Sequence, residues 1–359
     1  LRIGVSLVSF QTGVISMKVI ARLPLAVAAL VLIGANTAAQ AQSAPKLWST
    51  TNASSSGCSS FSSTYGAEKF NTTVQGHKWP NTPGGGVEFI SHSAAHLNAA
   101  ARGRASDEKL KARLLTASRG NAFTRLDFEG PGGSSPAFVS AIITKSVAYS
   151  VSYLRSRGKL SPDELREIDR WVGVLRKNAR KKANSKDHKM ALASSDVMWT
   201  AAIGDSRGFK TAASKFQRAA KSFDRQGRFS SDIRNNNEVM HHVVGAAAVL
   251  RLNGYDALGL QSKGLTLYDA VGRHAANVSA NGSKKVKTSG DPSDQARSIM
   301  RAQGWGTHLA WIPVFLAIAP PGEARQAVVD LDRQLRKSDR KPYWGRQMGI
   351  HTGCLFGRN

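Results

Sequence analysis

Two stretches of this 359-residue chain carry side chains that could hold an anion and move a proton. The longer, DRQGRFSSDIRNNNEVMHHVVGAAAVLRLNGY from Asp224 to Tyr255, contains Arg234, Glu238, His241 and His242. The shorter, NSKDHKMA from Asn184 to Ala191, contains Asp187 and His188. A guanidinium is a permanently charged, bidentate partner for a carboxylate, whereas an imidazole accepts or donates a proton near neutral pH. Arg with His therefore points to general acid–base chemistry on an acidic substrate.

Helices must position these groups. Val239, Val243, Ala246 and Leu250 recur at helical spacing, and the Asn253-Gly254 pair is a stop signal, so a helix is predicted from about Arg234 to Leu252. On it Arg234, Glu238 and His241 share the side away from the apolar stripe, which reads equally as a solvated face. Ser161-Pro162-Asp163-Glu164 is a helix start, with Ser161 as N-cap, Pro162 at the first helical position and Glu164 closing a capping box. Leu165, Ile168, Trp171, Val172 and Leu175 follow as a core stripe, and RKNARKK ends that helix with cations suited to the dipole. Further amphipathic segments are predicted at 187–203, 206–223, 265–279, 293–319 (as two helices) and 323–337. With no alternating strand pattern, the fold class is all-α; periodicity leaves open a bundle or a ring of hairpins.

The formal net charge is +26, which suits a polyanionic partner concentrated in a basic cleft. No zinc-finger, RNA-binding or helix-turn-helix signature accompanies it, so nucleic acid is not an expected partner. Met17 opens a segment with two early cations, an apolar run from Leu23 to Gly34 and Ala39-Gln40-Ala41, the pattern of a secretory signal, too short to span a membrane. The chain is thus expected to be exported, with residues 1–41 as upstream extension plus signal, and no membrane span after its removal. Cys58 and Cys354 could form one bridge or stay free thiols. Residues 42–104 read as a loop-rich segment, a mobile terminus or a lid offering Tyr65, His77, Lys78 and Trp79, with the helical domain over 105–359. His92 and His96 are one helical turn apart, but without a third ligand in register no metal site is expected.

The text GRFSSDIRNNNEVMHHVVGAAAVLRLNGYD resembles the periplasmic alginate lyases and related polyuronate lyases, in which an arginine precedes a catalytic tyrosine by seven residues. Arg234 matches the arginine and His241 stands where the tyrosine would be. Upstream, Lys186-Asp187-His188 followed by KMALASSDVMWTAAIGD is similar to the family's Asn-Asn-His and the helix it opens. The resemblance spans roughly residues 148–280 and returns at QARSIMRAQGWGTHLAWIPVFLA. It implies an incomplete α/α toroid, helical hairpins around a cleft, in a monomer that needs no cofactor and binds an anionic polysaccharide such as alginate or a glucuronan.

It also implies β-elimination, in which the C5 proton of a uronate is removed once its carboxylate is neutralised and O4 then leaves. Arg234 would hold the carboxylate, His188 would share proton transfer or hydrogen-bond the carboxylate, and His241 would be the proton-transfer residue, with His242 as substitute if the register shifts by one. Asp187 replaces an asparagine, so it must either carry a proton or orient His188 while Arg234 neutralises alone. Losing the tyrosine and the asparagine also fits a non-catalytic binder. Arg301 and Trp305 are candidate substrate contacts, with Arg297, His308 and Trp311 nearby.

Overall fold

The computed structural model describes residues 44–47, 70–75, 85–101, 103, 106–127, 135–181, 183, 185–301, 308–337, 344–345, 347–352 and 356. The chain divides into the units Leu1–Ser43 and Ala44–Asn359. The signal-like segment, both cysteines, Tyr65, His77, Lys78, Trp79 and Trp305 lie outside the described residues.

Eleven helices are described: α1 (Gly86–Ala101), α2 (Asp107–Arg119), α3 (Pro136–Ser156), α4 (Pro162–Lys181), α5 (Lys186–Ile203), α6 (Ser206–Ala220), α7 (Ile233–Leu252), α8 (Leu267–Gly282), α9 (Pro292–Met300), α10 (Trp311–Ile318) and α11 (Glu323–Lys337). Three minimal strand pairs complete them: β1 (Thr73–Gln75) parallel to β2 (Arg125–Asp127), β3 (Gln261–Ser262) antiparallel to β4 (Leu265–Thr266), and β5 (Trp344–Gly345) antiparallel to β6 (Ile350–His351).

The helices fall into two kinds. In α4, α6 and α11 the buried residues form one stripe (Ile168, Trp171, Val172 and Leu175 in α4; Phe209, Ala212, Ala213 and Phe216 in α6) and the opposite face is charged. By contrast α3, α5 and α7 are buried nearly all round and are rich in Ala, Ser, Val and Met, small or adaptable residues that let neighbours approach from every side. The inner helices pack in succession, α1 on α3, α3 on α5, α5 on α7 and α7 on α10, while the amphipathic helices cover them.

The inner helices run parallel. Phe138 meets His188 near the starts of α3 and α5, and Arg155 donates to the Ala202 carbonyl near their ends. Likewise Met198, late in α5, touches α7 at Gly245, where an added Cβ would come 2.9 Å from Met198 Cε. Helix α4 returns antiparallel outside them, its Trp199 contact made from Asp169 (2.9 Å) and its Asp196 contact from Arg180 (3.0 Å). Parallel inner helices joined by antiparallel outer ones are the topology of an α/α toroid.

Local chemistry sets the boundaries. The predicted capping box at the start of α4 is present, with Glu164 N–H donating to Ser161 Oγ (3.2 Å) and Ser161 N–H to Glu164 Oε2 (2.8 Å). Asp232 caps α7 by accepting from Asn235 N–H (2.9 Å), and Asn253 ends it before Gly254, whose φ is +81°. One expectation needs correction. The segment 42–104 is not loop throughout: GVEFISHSAAHLNAAA forms α1 and packs on α3, since its apolar residues, Val87, Phe89, Ile90, Ala94 and Leu97, supply a buried stripe. Beyond α11 the chain forms β5 and β6, and the latter packs on α1.

Candidate active site

At the starts of α3, α5 and α7 three helix N-termini point the same way, a disposition that favours negative charge. Helix α5 presents Asp187 and His188 in its first turn. The His188 side chain keeps 18% of its surface and lies 3.8 Å (Nε2) from Asp187 Oδ2, beyond hydrogen-bonding reach but within that of an ion pair. Asp187 therefore sits beside His188 without a hydrogen bond to its ring. Arg234, in the first turn of α7, is exposed and lies 3.8 Å from Asp232, the N-cap.

Two turns further into α7 the environment changes. Phe138 of α3 stands between His188 and His242, with ring centroids 5.2 and 5.4 Å away. His242 is fully buried, and its Nδ1 is 2.8 Å from Nζ of Lys145, itself wholly buried in α3. Lys145 also donates to the Gln347 carbonyl, and Gln347 Nε2 donates to Glu238 Oε2 at 2.8 Å. Glu238 Oε1 lies 3.4 Å from Nδ1 of His308. Gln347 is held by the turn before β6, where Gly349 (φ +73°) rests on α3 so closely that a Cβ would meet Ser146 N at 3.0 Å.

His241 is buried too. Its Nδ1 donates to the Asn237 carbonyl at 2.9 Å, leaving Nε2 without a hydrogen-bond partner. Asn237 is the hub behind it: its Oδ1 accepts from Trp311 Nε1 (2.9 Å) and His274 Nε2 (3.2 Å), and its Nδ2 donates to the His308 carbonyl. His274 Nδ1 in turn accepts from Asn236 Nδ2 at 2.8 Å, and Asn236 Oδ1 accepts from Phe229 N–H at 2.8 Å, tying the loop before α7 to its first turns.

Burial governs the proton affinities. It pushes His241 down to about 4, with Glu238 opposing and the neighbouring cations reinforcing, and His274 down to about 3. Burial first, then the charge of Lys145, holds His242 well below the ordinary imidazole range. The Lys145 ammonium is pushed down to about 7 by burial, against the pull of Glu238. His241, His242 and His274 are thus neutral imidazoles, beside a lysine that can lose its proton near neutrality.

The sequence-based candidates therefore divide. His188, Asp187 and His242 come together around Phe138 from two helices, and His241 lies one residue away on α7. Arg234 does not share a face with an exposed His241, because α7 is packed by α5, α8, α9 and α10, so the side away from the apolar stripe is also core. Arg301 is exposed at the end of α9 and makes only a backbone bond to Arg297, 3.1 Å, among the described hydrogen bonds. Lys145, Asn237 and Gln347 were not identified from sequence: a lysine inside AIITKSVAYS carries no periodic signal, and NNN reads as helix-surface polarity. A separate cavity of about 330 Å³ between α4, α5 and α6 is lined by Arg176, Arg180, Arg207 and Lys215. Arg176 and Arg180 are there partly structural, since Asp196 accepts from both, at 2.7 and 3.0 Å.

No protein-family model matches the sequence, and no curated protein matches it. Solved structures of alginate lyase A1-III do resemble the fold. The form with a histidine-to-alanine substitution superposes with a TM-score of 0.59 and 12% identity when apo, and 0.57 and 13% when complexed with a tetrasaccharide. A tyrosine-to-phenylalanine form complexed with a tetrasaccharide gives 0.58 and 13%. Each match covers 88% of this chain and 88% of the other. At this identity the likeness concerns architecture, and the chain has the α/α toroid fold seen in alginate lyase A1-III.

Proposed function

We propose that this chain is a polysaccharide lyase that cleaves a uronate polymer, alginate or a glucuronan, by β-elimination. The observation that carries the reading is that His188, in the first turn of α5, and His242, midway along α7 next to His241, pack on the same ring of Phe138, on a toroid whose structural neighbours were solved with a tetrasaccharide bound. Arg234, exposed and permanently charged, neutralises the uronate carboxylate, aided by the helix N-termini. The C5 proton passes to an imidazole, the C4–O4 bond breaks as the C4=C5 double bond forms, and the departing O4 takes a proton. His241 suits the accepting role, because donation to Asn237 leaves its Nε2 lone pair bare. His188, with Asp187 beside it, is the imidazole that a substrate meets first. The positive balance of the chain would draw in the polyanion, and the signal-like N-terminal segment would send the enzyme to the periplasm or beyond.

A non-catalytic binding protein on the same scaffold is the second reading, favoured by the full burial of His241 and His242. Incubation with alginate, polymannuronate and glucuronan, followed by the ultraviolet absorbance of the new C4=C5 bond, separates the two. A rise on one polymer is expected; binding without a rise on any polymer would support the second.

A further inference from the structure

Lys145 has no part in the chemistry above, yet a lysine wholly buried in an apolar helix is costly unless its donors are used. Two are used, toward His242 Nδ1 and toward the Gln347 carbonyl. Below about pH 7, where Lys145 carries its proton, the ammonium has only donors, so the ring nitrogen facing it must be the acceptor, and the imidazole proton then sits on Nε2. That Nε2 is buried without a hydrogen-bond partner, on a ring packed against Phe138. The adjacent imidazole is fixed in the opposite form: His241 donates through Nδ1 to a carbonyl, so its unpartnered Nε2 is an acceptor.

We propose that Lys145 is a positioning residue that locks His242 in the Nε2–H form, so that of two consecutive imidazoles on α7 His241 offers an acceptor and His242 a donor. The lock is a property of the fold and does not depend on the lyase reading; its consequence for catalysis rests on that reading. In the elimination, His242 gives its Nε2 proton to the departing O4. Ordinarily this would leave an imidazolate. Here the Lys145 ammonium passes a proton to Nδ1 in the same step, so His242 ends as the neutral Nδ1–H form and Lys145 as the free amine. The C5 proton, held on His241, returns through solvent to restore the starting state, and every proton is accounted for.

The test is nitrogen NMR, at a pH about one unit below 7, of the ¹⁵N-histidine-labelled full chain, with signals assigned by H241Q and H242Q. In the unmodified protein His242 should be the Nε2–H tautomer and His241 the Nδ1–H tautomer. In Lys145→Met the His242 signals should move to the Nδ1–H form or to an averaged position, with His241 unchanged. A His242 already in the Nδ1–H form, or one unmoved by Lys145→Met, would overturn the proposal. Should the variant fail to fold, the unmodified spectrum decides alone.

For a chain active on a polyuronate, Lys145→Met should lower kcat on the order of 10²-fold with KM nearly unchanged. Unchanged kcat despite a switched tautomer would overturn the relay. If the unmodified chain cleaves none of the three polymers, the lyase reading fails while the spectrum still rules on the lock.

Discussion

Helices α4 and α7 have the same length, 20 residues, and opposite designs. Helix α4 buries one stripe and turns charges to solvent, where they pair loosely: Arg166 meets Asp163 with both side chains mostly exposed. Helix α7 buries polar groups from Asn236 to His242 and ties them by directed bonds to α8, α10 and α3, leaving the Nε2 atoms of His241 and His242 without a partner. In the outer helix polarity is solvation. In the inner one it is geometry, and orientation is set by named partners.

The sharpest break of that contrast is Asn237→Ala. It strands the Trp311 and His274 N–H groups away from water and removes the donor to the partly buried carbonyl of residue 308. At roughly 1–3 kcal/mol for each group left unsatisfied, a loss of about 3 kcal/mol or more is expected in urea denaturation.

A second difference lies in pH. The folded chain refuses protons on His241 and His274 until about pH 4 and about pH 3, whereas the unfolded chain takes them up near 6.5. Stability therefore falls as pH drops below about 6.5, and stops falling from this source only below the folded values. Lys145 acts in a higher window. Between about pH 10.5 and about 7 the unfolded state holds a proton that the folded state lacks, so lowering the pH through that window costs stability, on the order of a few kcal/mol. Denaturation midpoints at pH 9.5 and pH 7 should differ in the unmodified chain and lose this component in Lys145→Met.

The outer helix supplies the small end of the scale. Arg166→Ala should change stability by less than about 0.5 kcal/mol, within the error of the same denaturation experiment.

The same contrast explains what could be read from sequence. Outer helices announce themselves by period: the box at Ser161–Glu164 and the stripe from Ile168 to Leu175 are where expected. The predicted pair of helices over 293–319 is α9 and α10. Periodicity on α7 misled because it assumes a single buried face. His241 was expected beside Arg234 on the open side and lies instead in the core. Lys145 and Gln347, which bear on His242, come from remote segments, and Asn237, whose carbonyl holds His241, is one turn away on α7; none carries a local pattern. Helix α1 was overlooked because the Ser, Thr and Gly content of residues 42–86 hid the apolar stripe that follows.

The most direct test of the central claim compares the unmodified chain, His188→Ala, Arg234→Ala and the exposed control Arg166→Ala on the polyuronate that gives the fastest absorbance rise. The account predicts that Arg166→Ala keeps its rate and that Arg234→Ala loses about 10²–10³-fold in kcat/KM, as expected when a charge-stabilising group is removed. His188→Ala should lose about 10²-fold or more. Full activity in both His188→Ala and Arg234→Ala, in chains that still fold, would contradict it and move the chemistry away from the ends of the inner helices.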